Sequence, residues 1–276
     1  MKAFLIVANG LKDNTKECVD QLTAFLDQEK VGFHIVWIQY STNLMEEMHG
    51  KDLSGYEAAI VIGGDGTLIR ASRALKEHMM PLIGVNVGNI GYLCEVDREH
   101  IIPSMRRILN GEYTLEKRML LRGKTVDTQQ DALNEIAIYR GGKLCIVLLE
   151  LYVNGQYLTT YRGDGLVIAT PTGSTGYNMS CGGPIVNPAS SMILVTPIAP
   201  HSTTSSRSIV LEDSSEIEIR PVHRDGQQDP EEILVSFDGA DTRSLTEPIR
   251  IWKSDNETLL VKLTQNSFLE TLKQKL

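Results

Sequence analysis

Residues 1–113 alternate short apolar runs with amphipathic stretches, and this β-α-β-α order constrains the fold more than any other feature of the chain. Lys2–Ala8, Phe33–Gln39, Ala58–Ile62 and Pro81–Val85 are short and mainly apolar, as strands covered on both faces of a parallel sheet must be. After the first run, Cys18, Leu22, Phe25 and Leu26 recur at i, i+4, i+7 and i+8, the stripe of a helix lying on such a sheet, and Gly32 ends it. Leu68–Met79 has helical composition. Parallel strands joined by helices make a doubly wound, Rossmann-like sheet, whose ligands bind at the carboxyl ends of the strands. The loop after Ile62 is therefore the first place to look for chemistry.

From about Thr114 the period changes to two. Thr114–Arg122, Ala132–Tyr139, Cys145–Val153, Tyr157–Tyr161, Gly165–Ala169, Met192–Thr196, Ser208–Leu211, Glu216–Arg220, Ile233–Phe237, Ile249–Lys253 and Thr258–Leu263 read as strands. Asn154-Gly155 is a type I′ hairpin signal, since both turn residues need φ > 0. The chain thus divides into an α/β domain over 1–113, a mainly β domain over 114–265 and a helical tail over 266–276, with the helix spanning Ser267–Leu276.

Composition removes several classes of function. A chain of 276 residues with 42% hydrophobic and 22% charged residues buries a core, so neither disorder nor membrane embedding is expected. The net charge of −8 is evenly spread, with 11 Lys and Arg against 15 Asp and Glu in residues 1–113, and 16 against 20 in the remainder. No basic arm is offered to duplex nucleic acid. No apolar run approaches the ~18–20 residues of a membrane span, and MKAFLIVANG reads as a first strand and not as a signal peptide. Cys18, Cys94, Cys145 and Cys181 are far apart with no C-x-x-C pair, as in a reduced, cytoplasmic protein.

Three loops carry the chemistry. Gly63-Gly64-Asp65-Gly66-Thr67 leaves a strand and opens a helix, where small residues bring backbone N–H groups against a phosphate and the helix N-terminus adds positive charge. A carboxylate amid phosphates either binds Mg²⁺ or takes a proton from an attacking hydroxyl. The alternative is a tight turn whose Asp65 caps the helix. Asn86-Val87-Gly88-Asn89-Ile90-Gly91-Tyr92 is a second glycine loop, in which Tyr92 fills core space or stacks on a ring. The third runs from Arg162-Gly163-Asp164-Gly165 to Thr170-Pro171-Thr172-Gly173-Ser174-Thr175-Gly176-Tyr177, Ser180 and Gly182-Gly183-Pro184. Its hydroxyls at Thr172, Ser174, Thr175 and Ser180 suit the phosphates and riboses of a dinucleotide. Asn134-Glu135 pairs an amide with a carboxylate, which suits the two hydroxyls of a ribose or, equally, a solvated strand end.

GGDGT, NVGNIGYL, LNE, RGDG and TPTGSTGYNMSCGGPIV, in this order, resemble the bacterial NAD kinases over about residues 1–265. That resemblance implies phosphorylation of the adenosine ribose 2′-hydroxyl of NAD⁺, held at the domain junction, with ATP or polyphosphate as donor and Mg²⁺ or another divalent cation. It makes Asp65 the proton acceptor, assigns phosphates to Gly63, Gly64, Gly66 and Thr67, and gives Arg70 the role of offsetting their charge. It assigns ribose hydroxyls or the nicotinamide side to Asn134 and Glu135, and further NAD contacts to Arg162, Asp164, Thr175, Gly176, Tyr177, Ser180 and Ala199, besides Asp65 and Gly66. A homodimer or homotetramer follows from the same resemblance, and the apolar run Met192–Ala199 is a candidate subunit contact. Gly176 stands where the family mostly has Ala, Tyr92 where Phe is usual, and Ala240 where Gln is frequent, which removes an amide contact. Diacylglycerol- and sphingosine-type lipid kinases share GGDGT, but the Pro-x-Gly-Thr-x-Asn-Asp turn typical of them is missing here. A non-catalytic NADP(H) sensor needs no carboxylate in the cradle, so Asp65 favours the enzyme.

Overall fold

Of the apolar runs in the first 113 residues, Ala3–Asn9, Ala58–Gly63 and Leu82–Asn86 become parallel strands buried on both faces, whereas Gly32–Ile38 pairs at the sheet edge and leaves Gly32, His34 and Trp37 exposed, so the expectation of cover on both faces is corrected there. β1 (Ala3–Asn9), α1 (Thr15–Gln28), β2 (Gly32–Ile38), α2 (Leu44–Met48), β3 (Ala58–Gly63), α3 (Asp65–Leu75), β4 (Leu82–Asn86), β5 (Val96–Asp97) and α4 (Ile101–Leu109) follow in order. The strands are arranged β2-β1-β3-β4, with β5 alongside β4, all parallel. Cys18, Val19, Leu22, Phe25 and Leu26 of α1 and Ile101, Met105 and Ile108 of α4 share one core with Phe4, Ile6, Ile60, Ile62, Ile83 and Val85. The helical stripe read from the sequence is therefore the buried face of α1. The computed structural model describes residues 3–40, 42–88, 91–142, 145–201, 207–222, 232–263 and 268–275. Lys2, Asn89, Ile90, Ser267 and Leu276, on which sequence expectations fall, lie outside these residues.

The chain forms two compact units, Met1–Arg118 with Asn256–Leu276, and Met119–Asp255. It leaves the first within β6 (Thr114–Lys124). The second unit contains β7 (Gln129–Ala132), β8 (Glu135–Arg140), β9 (Val147–Val153), β10 (Gln156–Gly163), β11 (Gly165–Ala169), α5 (Tyr177–Ser180), β12 (Met192–Ile198), β13 (Ile209–Glu212), β14 (Ile217–Val222), β15 (Ile233–Phe237) and β16 (Ala240–Ser244). The return runs through β17 (Ile249–Lys262), and α6 (Phe268–Lys275) follows. Within the second unit one antiparallel sheet has the order β13-β12-β11-β8-β15-β16, while β10, β9, β14 and the first part of β17 make another antiparallel run. Alternate residues of both build its core: Ile136, Ile138, Leu166, Ile168, Ile193 and Val195 with Leu149, Leu151, Ile217, Ile219, Ile249 and Ile251. Asn154 and Gly155 join β9 to β10 at φ 50° and 77°, as the hairpin signal requires.

Four expectations are corrected. The second helix begins at Asp65, not Leu68, and ends at Leu75, after which Lys76–His78 tighten to a 3₁₀ turn. Ala132–Tyr139 is two strands, interrupted at Leu133 and Asn134. Ile249–Lys253 and Thr258–Leu263 are parts of one strand, β17. The apolar run from Met192 is an interior strand paired on both sides, by β11 and β13, so its own chain buries Ile193–Ile198. Its hydrophobicity needs no neighbouring subunit.

Candidate active site

In the first unit the loops after β1, β3 and β4 lie at the carboxyl ends of parallel strands, where a doubly wound sheet places its ligands. Gly64 is the N-cap of α3, in extended conformation, and Asp65 is the first helical residue. The Asp65 carboxylate does not cap its own helix. It turns to the loop after β4, where Oδ2 accepts the Tyr92 N–H at 2.6 Å and Oδ1 accepts those of Leu93 at 3.2 Å and Cys94 at 3.3 Å. Three successive amides aimed at one carboxylate hold it in a single orientation. The Cys94 thiol also bonds Asp65, and burial first, then the Asp65 charge, pushes that thiol well above its ordinary range.

The glycines have distinct jobs. A side chain on Gly63 would strike Thr67, whose buried hydroxyl lies back over Gly63 and accepts a hydrogen bond from Asn9 Nδ2 at 3.0 Å. Gly66 has open space where a Cβ would stand, at the exposed mouth of the helix N-terminus. Gly91 makes room for the Asp65 carboxylate, which a Cβ there would overlap. Gly91→Ala is thus expected to displace that carboxylate and lower kcat on the order of tenfold, since small misplacements of a reacting group are costly. Steady-state kinetics with a matched circular-dichroism melt reads this; unchanged kcat in a folded variant would mean that the observed seat is irrelevant to turnover. Arg70 is tied to the loop after β2: its guanidinium donates to the Thr42 carbonyl at 3.0 Å. The Tyr92 ring is half-buried, with the Lys275 ammonium of α6 4.4 Å from its centre.

In the second unit the break between β7 and β8 creates a polar turn. Asp238 clamps it, accepting the N–H groups of Leu133 at 2.8 Å, Asn134 at 2.7 Å and Glu135 at 3.1 Å. Thr170 closes the other side by donating to the Leu133 carbonyl at 2.6 Å and accepting the Gly173 N–H at 3.0 Å. Gly173 presses directly on the Asn134 backbone, where no side chain would fit. Glu135 is 9% exposed, and burial, reinforced by the Asp238 charge and opposed by the Tyr177 N–H, raises its pKa from 4.5 to about 7. Asn134 Oδ1 and Glu135 Oε2 are buried with no hydrogen-bond partner. Gly176 adjoins both side chains: a Cβ there would lie 3.1 Å from Glu135 Oε2 and 3.4 Å from Asn134 Nδ2.

The rest of the third loop divides between exposed and structural groups. Tyr177 and Ser180 are exposed, and Thr175 is half-buried. Ser174, read from sequence as a ligand hydroxyl, is instead buried and bridges the backbone of Val186, donating to its carbonyl and accepting its N–H, both at 3.1 Å. Asp164, between β10 and β11, pairs with Arg140 at 3.0 Å. Arg162 is exposed, while its carbonyl accepts the His201 N–H at 2.8 Å. Ala199 adopts φ 41°, a left-handed conformation unusual for alanine. Sequence reasoning gives no role to Asn9, Lys12 or Cys94 and singles out Ala240 but not Asp238. Asp238-Gly239 has φ 52° and 70°, so it is itself an Asp-Gly turn signal that would have found the clamp.

The description "ATP-NAD kinase N-terminal domain" matches residues 4–113, and "ATP-NAD kinase C-terminal domain" matches residues 133–263. A protein of Agathobacter rectalis named NAD kinase is 40% identical, covering 100% of this chain and 99% of its own. Another so named, from Lachnoclostridium phytofermentans, is 34% identical with the same coverage. Among solved structures, an NAD kinase from Archaeoglobus fulgidus in complex with ATP superimposes with a TM-score of 0.79 at 24% identity, covering 100% of this chain and 98% of that one. Yeast NADH kinase complexed with NADH gives 0.84 at 21% identity, covering 99% and 87%. At these identities the two structures establish a shared fold, an α/β part followed by a mainly β part.

Proposed function

This chain belongs to the NAD kinase family, and from that premise we propose that it transfers the terminal phosphoryl group of ATP to the 2′-hydroxyl of the adenosine ribose of NAD⁺. The observation that carries the reading is the pair of buried, unpartnered acceptors Asn134 Oδ1 and Glu135 Oε2. Orphaned buried polar atoms are costly unless a ligand completes them. Sugar hydroxyls or a carboxamide supply the donors they lack; an acyl chain supplies none.

In this reading the ribose oxygen attacks the γ-phosphorus, the bond to the β–γ bridging oxygen breaks, and the ribose proton passes to the Asp65 carboxylate, giving NADP⁺ and ADP. Gly63, Gly64, Gly66 and Thr67 line the phosphates, the Thr67 N–H itself being held by the Gly64 carbonyl at 2.9 Å. Asn134 and Glu135 hold ribose hydroxyls or the nicotinamide side, and Arg162, Asp164, Thr175, Gly176, Tyr177, Ser180 and Ala199 complete the dinucleotide contacts. Among the described residues no group of three or more His, Cys, Asp or Glu side chains converges as a cation site, and both Asp65 oxygens already accept amide hydrogens. The described residues therefore offer no carboxylate cage for Mg²⁺, which would be supplied with the phosphate chain of the donor and would offset its charge. Polyphosphate is the second donor to be tried. A cytoplasmic homodimer or homotetramer completes the proposal; no helix among the described residues is long and apolar enough to cross a membrane.

An end-point assay with NAD⁺, Mg²⁺ and either ATP or polyphosphate, coupled to an NADP-specific dehydrogenase, tests the reading. NADP⁺ formation is the expected result. Failure to form it, together with saturable diacylglycerol binding and no calorimetric response to NAD⁺, overturns the proposal.

Glu135 adds a pH dependence. Its native pKa of about 7 lies above 4.5, so the stability its protonated form contributes is complete at low pH and lost as pH rises between these values. Ligand hydroxyls favour the ionised form, so binding should show the opposite slope. NAD⁺ affinity is expected to weaken roughly tenfold per unit as pH falls below 7, and Glu135→Gln should flatten the profile. Identical profiles by calorimetry from pH ~5.5 to ~8.5 would remove Glu135 from the binding site.

A further inference from the structure

The cradle after β3 needs a cation to face transferring phosphates, and Arg70 is turned toward Thr42. A different side chain stands over the loop. The chain leaves β1 through Asn9-Gly10-Leu11-Lys12, and the Lys12 ammonium reaches across to the glycines of the other two loops. A Cβ on Gly64 would stand 2.6 Å from Lys12 Nζ, and one on Gly88 would stand 3.5 Å from it. The ammonium thus occupies a place that Gly64 leaves open, at the N-cap of α3.

The loop carrying Lys12 is fastened, although the side chain itself is exposed. Lys12 N–H donates to the Asn9 carbonyl at 3.2 Å, Asn9 Oδ1 accepts the Leu11 N–H at 3.1 Å, and Asn9 Nδ2 donates to Thr67. Asn86 shapes the opposite bank, accepting the Gly88 N–H and donating to the Gly88 carbonyl, each at 3.1 Å. Among the described carboxylates none pairs with Lys12, although its charge is felt at Cys94, in the loop that holds Asp65. A lysine without a carboxylate partner, next to a helix N-terminus and two glycine loops at the carboxyl edge of a parallel sheet, matches a phosphate chain in charge, reach and position. The geometry points to Lys12 as the side chain that grips the phosphate chain of the phosphoryl donor, the role that the sequence reading gives to Arg70. This rests on the kinase reading and adds the residue that neutralises the donor.

Lys12→Met, Lys12→Arg and Arg70→Met separate the possibilities. Each is assayed for donor KM at saturating NAD⁺, for NAD⁺ binding, and by calorimetric titration with inorganic tripolyphosphate, which needs no turnover. Lys12→Met is expected to raise the donor KM and the tripolyphosphate Kd about tenfold or more, the usual scale for a charged hydrogen bond, while NAD⁺ binding stays within about twofold. Lys12→Arg should recover most of the loss, because it keeps the charge. Equal tripolyphosphate binding by wild type and Lys12→Met overturns the inference, as does a donor effect confined to Arg70→Met. Tripolyphosphate binding that depends on Lys12 in a protein that makes no NADP⁺ would sustain the site and overturn the kinase reading instead.

Discussion

Replacing Asp65 with Asn is expected to lower kcat roughly 10²-fold or more, the scale of a lost general base, while NAD⁺ still binds. The substitution keeps the size of the side chain and removes its capacity to take a proton. It also sets an NH₂ group against one of the donors at Tyr92, Leu93 or Cys94, so the loop after β4 loses a hydrogen bond. A thermal melt separates the two consequences: a modest fall in Tm accompanies the lost contact, whereas the fall in kcat persists well below Tm. Near-wild-type turnover would pass the proton to another group and leave Asp65 as a brace between α3 and the loop after β4.

Asp238→Ala should weaken the second unit and its candidate ligand-binding turn together. One carboxylate accepts the amides of Leu133, Asn134 and Glu135, and truncation leaves all three without their acceptor. Each such loss costs about 1–3 kcal/mol, and water relieves part of it at this half-buried position, so about 3 kcal/mol in total is expected. Because Asn134 and Glu135 sit on the released turn, NAD⁺ affinity should fall at least about tenfold in parallel. Urea unfolding and NAD⁺ calorimetry on the same preparation measure both. A variant with wild-type stability and affinity would show that Thr170 and Gly173 alone hold the turn.

What the sequence made legible follows from what each signal reports. Periodicity reports burial, so the strands and the α1 stripe emerge from Cys18, Leu22, Phe25 and Leu26 and from runs such as Ala58–Ile62. The Asn154-Gly155 turn is legible because its dihedral demand is local. Periodicity fails where a strand changes its surroundings: Ser254, Asp255, Asn256 and Glu257 look like a loop, yet they lie within β17 where the chain passes from one unit to the other. It also misses α4, whose Pro103 looks like a breaker but stands in the first turn, where no intrahelical amide bond is lost. In the sites, Gly63–Thr67 and Asn134-Glu135 are visible because chemistry and glycine cluster in a few residues. Lys12 is not, since only the strand order brings it to Gly64; Asp238 announces itself as a turn residue through Asp238-Gly239, but its partner, the 133–135 turn, is set by the fold alone.

The double passage of the chain through β6 and β17 bears on how this protein emerges during synthesis. The first unit is unfinished when its first 118 residues exist, because Leu260 of β17 pairs with Leu82 of β4, and buried Ser72 and Thr258, 186 residues apart, share a hydrogen bond. At ordinary elongation rates the ribosome needs roughly ten seconds or more to deliver that partner. Through that interval part of one edge of β4 has open backbone groups, a template for wrong pairing. The inserted unit, contiguous from Met119 to Asp255, has no such wait and can close first. Completion of the first unit therefore waits for the last twentieth part or so of the chain, although every strand that carries its three glycine loops is made in the first third.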